Sequence, residues 1–327
     1  MNIGITFDLR EDYGISEHDW THADFTTPEG IIYIKDNIEK CGHTVTLIGN
    51  HEKLFDLFKT SGMETIDLVF NCAEGINSRN REGWIPSLLE MNNIPFVGAD
   101  AFGVSIGLNK VYTKIIAQYL GIPTPPFREI NNISDVPAIA NKIDYPCVLK
   151  PNFEGSSSGI KLVSTSSELI DTAKFLLEEY KQTLLCEKYI EGRELSVPII
   201  GHGVSCKTLG IVETIREDGS PIGIYGVEDK FFGGCKKVLP QLDAKIAQKA
   251  SEYAILLHNY LGCVDYDRAD FRLDNENNLY LLELNPLPDI TEGGSYQMCA
   301  HLSGIKFNEI IMQIIQCAAQ RYNLIRK

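Results

Sequence analysis

The 327-residue chain has no apolar run approaching the roughly 20 residues needed to cross a bilayer. It opens on MNIGITF, with no basic-then-apolar leader in front, so a cytoplasmic protein without membrane contact is expected. Its nine cysteines include no CxxC pair, and Cys147 and Cys186 lie inside apolar runs. Small buried hydrophobes in a reducing compartment are therefore expected, not disulfides or zinc. The seven histidines form no HExxH. No GxGxxG follows the first strand and no GK[ST] closes a glycine loop, which removes the dinucleotide fingerprint and the Walker A loop. Basic charge is also scarce. Thirty Lys and Arg against 44 Asp and Glu give a net charge of −14, which repels phosphate backbones and anionic lipid. Nucleic acid is thus not an expected partner, and small-molecule substrates remain.

What is present describes a globular chain of more than one unit. Hydrophobic residues make up 44% and charged residues 23%, and roughly 100–200 residues per domain predicts two or three domains. Over the first hundred residues strand and helix patterns alternate. MNIGITF, HTVTLIG, IDLVFN and NIPFVG read as strands. Thr27 and Pro28 open a helix in which Ile31, Ile34 and Ile38 recur at helical spacing, and EGWIPSLLEMNN reads as another. Such alternation predicts a parallel sheet with helices on its faces.

From Asn109 onward the pattern changes. NKVYTKIIAQYLG is an amphipathic helix closed by Gly121, and IPTPPF reads as a proline-stiffened linker. The strands YPCVLKP and IKLV flank the loop NFEGSSSG, and Thr165 with Glu168 forms a capping-box pattern for the following helix. The strand LLCEKYI leads into antiparallel-looking strands, a helix over about Asp243–Leu261, the hairpin DRADFRLDNENNLYLLELN and a final helix around Ile310–Tyr322.

The hairpin carries most of the chemical signal. Strand alternation places Arg268, Asp270 and Arg272 on one face of its first strand. On the second it places Glu283 and Asn285 on one face, with Tyr280, Leu282 and Leu284 on the other. If register joins the polar faces, two carboxylates and an amide converge beside an arginine, a hard-oxygen set suited to magnesium. Taken alone, such a face is also what a solvated antiparallel strand presents. The EGSSSG loop would let backbone N–H groups approach an anion, with Lys150 and Lys110 nearby; a flexible surface hairpin accounts for that loop equally well. In CEKYIEGREL, Glu187 and Glu194 suit a purine and a ribose without demanding them.

Taken in order, NIPFVGAD, GLNKVYTKIIAQYLGIPTPPF, CVLKPNFEGSSSGIKLV, LLCEKYIEGRELSV, GCVDYDRADFRLD and LYLLELNPLP resemble the ATP-grasp superfamily, most closely the D-alanine–D-alanine ligases. The resemblance runs from about residue 66 to residue 315. It implies an α/β (α+β) ATP-grasp fold: an N-terminal α/β domain over 1–98, a central subdomain with the Gly/Ser lid over 99–186, and a C-terminal subdomain with the metal site over 187–327. It implies that Lys110 and Lys150 hold the phosphates of ATP under a lid containing Ser156 and Ser157. Glu187, Lys188, Tyr189 and Ile190 would line the adenine pocket, and Glu194 would meet the ribose. Asp270, Glu283 and Asn285 would bind two magnesium ions, with manganese as a substitute. Arg268, Ser156 and Lys230 (in GVEDKFF) would be the catalytic side chains, and a homodimer is the implied assembly.

The implied reaction is amide formation through an acyl phosphate. Departures from the family pattern cluster where the amino acids would sit. The ammonium-binding glutamate after the first strand has no clear equivalent in FDLREDYG, where Glu11 is the candidate. A histidine–glycine pair after the third strand is replaced by NCAEG. Asp289 stands where the family has glycine, Phe231 where it has tyrosine, and the carboxylate-binding serine falls near Gly293–Ser295. Two alternatives accompany the ligase reading: an ATP-grasp phosphotransferase or carboxylase that forms no amide, and a non-catalytic nucleotide-binding regulator.

Overall fold

The computed structural model describes residues 1–16, 24–60, 62–224, 226 and 233–324. Among the described residues the strands form three sheets. The first contains β1 (Asn2–Phe7), β2 (Thr44–Gly49), β3 (Leu68–Cys72) and β4 (Phe96–Val97), in the order β2-β1-β3-β4 and all parallel. Between them run α1 (Pro28–Lys40), α2 (His51–Lys59) and α3 (Trp84–Met91). The expected parallel layer is therefore present. Thr27 caps α1 through the Gly30 N–H, and Ile31, Ile34 and Ile38 are its buried apolar positions. Helix α2 was not expected from the sequence; Asn50 caps it, and Leu54 is its fully buried residue.

Helices α4 (Ala101–Leu108) and α5 (Lys110–Tyr119) follow, with Asn109 capping α5. The second sheet is antiparallel, in the order β5-β8-β6-β7. It comprises β5 (Phe127–Ile130), β6 (Cys147–Pro151), β7 (Lys161–Val163) and β8 (Leu184–Lys188), with α6 (Val136–Ala140) and α7 (Ser166–Tyr180) packed on it. Thr165 does cap α7, but Glu168 returns its bond to the N–H of Ser164, one residue before the position a capping box uses.

The third sheet contains β9 (Gly192–Ile200), β10 (Lys207–Thr208), β11 (Val212–Arg216), β12 (Cys235–Val238), β13 (Tyr266–Asp274) and β14 (Leu279–Asn285). Its order is β12-β11-β9-β13-β14, with β10 paired to β9. Helix α8 (Ala244–Tyr260) covers it, so Ala250, Ala254 and Leu257 meet Ala269, Phe271 and Leu273 in one apolar core. Helices α9 (Ser295–Leu302) and α10 (Phe307–Arg321) turn back to the first sheet, where Ile310, Ile311 and Ile314 pack with Ile3, Ile5 and Ile34. Burial of this apolar surface at roughly 25 cal/mol per Å² is the main term holding the layers together.

The IPTPPF segment differs from the expected linker. The Pro123 carbonyl accepts from the Leu281 N–H at 2.7 Å and the Pro126 carbonyl from the Lys188 N–H at 2.9 Å. Its prolines cannot donate to a sheet, but their carbonyls still accept, so the segment straps the second sheet to the third.

Candidate active site

Sheets two and three face each other across a cavity of about 700 Å³. Strand β13 supplies one wall. Its odd-numbered residues Ala269, Phe271 and Leu273 enter the core, so Arg268, Asp270 and Arg272 must face the cavity. Antiparallel pairing sets Arg268 opposite Asn285 and Asp270 opposite Glu283, which joins the two polar faces as the sequence predicts.

The register then shifts. Phe271 pairs with Leu281, leaving Leu282 as an extra residue in β14. Here the expected alternation fails: Leu281 enters the core fully buried, while Leu282 lines the cavity instead of pointing away from it. Tyr280, expected on the opposite face, lies across from Arg272. A sequence shows the period of a strand but not where an inserted residue resets it. Gly107 on α4 secures the end of this strand. An added Cβ there would stand 2.2 Å from Pro286 Cγ, so only glycine admits the close approach.

Polar contacts at this wall are short. Arg268 holds Asp270 through Nε at 2.9 and 3.1 Å and through Nη2 at 2.9 Å. Asn285 Nδ2 donates to Asp270 Oδ2 at 2.8 Å, and Lys110 Nζ stands 3.5 Å from Glu283 Oε2. Among the described residues no cluster of three or more His, Cys, Asp or Glu is placed to hold a metal alone. Asp270, Glu283 and Asn285 instead offer two carboxylates and an amide, which fits a hard cation that completes its shell with phosphate oxygens and water.

The opposite wall comes from β6, β8 and the loop between β6 and β7. Lys150 and Glu187 lie side by side on paired strands, with Lys150 Nζ 2.6 Å from Glu187 Oε1. Burial works against the Glu187 charge, but Lys114 and Lys150 outweigh it and hold the carboxyl below its ordinary range. Lys188, Tyr189 and Ile190 continue the wall, Val148 and Ile160 give it an apolar surface, and Leu282 adds to that surface from β14 on the facing sheet. Ser156 and Ser157 sit in the loop with φ of +47° and +63°. Two successive non-glycine residues in the left-handed region are uncommon and turn the loop sharply over the cavity mouth. At the floor, Arg272 bonds the Ile190 carbonyl at 2.9 Å and Glu194 Oε2 at 3.0 Å.

The far end is acidic. Glu74, in the NCAEG loop after β3, and Glu82 both line the cavity, as does Asp24. Asp24 is paired with Arg81 at 2.5 Å. Burial pushes both glutamates up, Glu82 to about 7 and Glu74 well above the carboxylate range, with Asp24 adding to each. Lys237 also reaches the cavity and donates to the Gly293 carbonyl at 2.8 Å; burial, then Arg268, lowers its pKa. Ser295 opens α9 there, and Asp289 accepts from Thr291 N–H and hydroxyl at 2.8 and 2.6 Å.

Nearly all the site residues expected from the sequence thus share this one cavity: Lys110, Lys150, Ser156 and Ser157, Glu187 through Ile190, Glu194, Arg268, Asp270, Glu283 and Asn285. Lys230 and Phe231 lie outside the described residues. Glu11 does not join them; it is exposed on a short helical turn after β1. Sequence reasoning missed Glu82, Lys237, Leu282 and Lys114. Two acids beyond a parallel strand's carboxyl end were a legible signal for the acidic end, because α/β sheets bind ligands there.

The sequence matches the family described as "D-ala D-ala ligase C-terminus" over residues 116–316. The D-alanine--D-alanine ligase of Aquifex aeolicus is 32% identical over 250 residues, covering 76% of this chain and 81% of that protein. That of Bordetella avium is 29% identical over 240 residues, 73% of this chain and 74% of the other. The crystal structure of the Bacillus anthracis enzyme complexed with ATP superposes with a TM-score of 0.77 over 99% of both chains at 21% identity, a likeness of fold.

Proposed function

Because the chain belongs to the D-alanine–D-alanine ligase family, we propose that it is an ATP-dependent carboxylate–amine ligase with its own choice of amino substrates. The observation that carries this reading is the joining of Arg268, the Asp270–Glu283–Asn285 face, Lys110 and Lys150 in one cavity. The purine would lie along Val148, Tyr189, Ile190 and Leu282, with Glu187 and Lys188 at its edge and Glu194 at the ribose. Lys110, Lys150 and the Ser156–Ser157 loop would meet the phosphates. Asp270, Glu283 and Asn285 would hold two magnesium ions, which neutralise charge on the transferring phosphoryl group when bound.

A carboxylate is a poor electrophile, so its oxygen attacks the γ-phosphorus and ADP departs. The amine nitrogen then attacks the carbonyl carbon of the acyl phosphate. Phosphate leaves, the amide forms and one proton is released. Arg268, its plane held by Asp270, faces the oxyanion that develops at that carbon. The Ser156–Ser157 loop and Lys230 would cover the site and exclude water, which otherwise hydrolyses the acyl phosphate. Glu74 and Glu82 suit an ammonium group, while Lys237 and Ser295 suit a carboxylate. A net charge of −14 supports small-molecule substrates over nucleic acid, and a homodimer belongs to the same proposal.

The test is ADP release against a matrix of L- and D-amino acids, singly and in pairs, with product masses read afterwards. The reading expects turnover that needs two substrates and yields a product lighter than their sum by one water. ADP release with a carboxylate but no amine points to the phosphotransferase alternative. Nucleotide binding without ADP release for any pair points to a regulator.

A further inference from the structure

We infer that Lys114, which lies behind the cavity wall, is a positioning residue that frees Lys150 to meet the phosphates of the nucleotide. This rests on the reading that the cavity takes ATP. Glu187 is buried, and each of its oxygens meets an ammonium: Oε1 lies 2.6 Å from Lys150 Nζ and Oε2 lies 2.7 Å from Lys114 Nζ.

The two lysines differ in what else holds them. Lys114 is fully buried and is not part of the cavity lining. Its ammonium also donates to Thr124 Oγ1 at 2.8 Å and to the Leu281 carbonyl at 3.2 Å, so two hydrogen bonds anchor it beside the ion pair. The Thr124 hydroxyl donates to the same carbonyl at 2.9 Å and locks the cluster to β14. Lys150 lines the cavity, and Glu187 is its ion-pair partner. One cation is pinned and the other faces the ligand.

Charge balance gives the pinned cation its role. A buried carboxylate stripped of its counter-charge is strongly disfavoured in a low-dielectric wall. With Lys150 as its sole partner, Glu187 would hold that ammonium back from any phosphate. With Lys114 behind it, Glu187 keeps a full counter-charge when Lys150 turns toward the ligand. Burial lowers Lys114 to about 8 against the pull of Glu187, so it carries its charge at neutral pH. The trio then presents one surplus positive charge to a polyphosphate.

The experiment measures binding of magnesium–ATP and of adenosine by calorimetry, using the full chain as wild type, Lys114→Met, Glu187→Gln and the double variant. Lys114→Met should weaken ATP by about tenfold or more and leave adenosine within about threefold, because only the phosphate-facing cation is held back. The double variant should regain ATP affinity to within about threefold of Glu187→Gln, since the carboxylate that detains Lys150 is gone. Absence of ATP binding by the wild type would defeat the nucleotide reading itself. Given wild-type binding, three results each defeat the role of Lys114: unchanged ATP affinity in Lys114→Met, equal loss of ATP and adenosine, or no recovery in the double variant. If Lys114→Met does not fold, the double variant is compared with Glu187→Gln. Equal ATP affinity is then expected, and a tenfold loss overturns the inference.

Discussion

Replacing Arg268 by alanine separates the chemical step from nucleotide binding. Arg268 spends its Nε–H and one Nη2–H on Asp270, which leaves the two N–H bonds of Nη1 and the second of Nη2 for an incoming oxygen. A donor aimed at a developing oxyanion is worth about 10²–10³ in kcat, or about 2.7–4 kcal/mol. Lys150, Glu187 and Tyr189 come from the facing wall of the cavity and keep their contacts. Arg268→Ala should therefore lower kcat by about 10²–10³ and change the KM for ATP by about threefold or less. The loss of the pair also leaves Asp270 less compensated in the empty protein, at a cost of up to about 3 kcal/mol that bound magnesium offsets. Thermal melts with and without magnesium–ATP would read that term separately. Arg268→Lys should recover the melting temperature but little of the rate, because one ammonium cannot grip Asp270 in two places and still face substrate. Steady-state ADP release over a range of ATP is the assay. A large rise in the KM for ATP with intact kcat would refute the assignment and move Arg268 to the nucleotide.

Glu283→Gln keeps the shape of the hairpin but replaces a charged carboxylate of the proposed metal face by a neutral amide, so melts should be close to wild type. ADP release should fall by about 100-fold or more, since the metal supplies several kcal/mol of charge stabilisation; unchanged turnover would remove Glu283 from the metal site. At the acidic end, burial pushes Glu82 to about 7, and an ammonium binds the ionised form. The kcat/KM for the amino substrate should rise with pH up to about 7 and then level, and Glu82→Gln should flatten that limb. A flat wild-type profile from pH 5.5 to 8 would count against the ammonium reading. Stability runs the other way: a carboxyl whose folded pKa is raised binds extra protons in the folded state, so its contribution is lost as pH rises from the usual carboxylate range toward 7.

Much of this protein is local enough to be legible in its sequence. Thr27 before Pro28, Asn109 before Lys110 and the isoleucines at helical spacing specify helices through bonds and contacts a few residues long. Alternation along β13 likewise sorts Arg268, Asp270 and Arg272 from Ala269 and Phe271, and six motifs in order carry the family resemblance. What stayed hidden depends on groups far apart in the chain. The bulge at Leu282 arises from the pairing of β13 with β14 and changes which side chains face the ligand. Lys114 reads as one more exposed lysine of an amphipathic helix until Glu187 and Leu281, 73 and 167 residues further on, close around it. Glu74 and Glu82 become an acidic pocket only when the first sheet packs beside the other two. The sequence alone determined most of the elements and the polar face shared by Asp270, Glu283 and Asn285, because short-range sterics and a period of two suffice for those. Only the tertiary structure decided which charges are buried together, because burial and Coulomb energy depend on distances in space, and chain position does not record them.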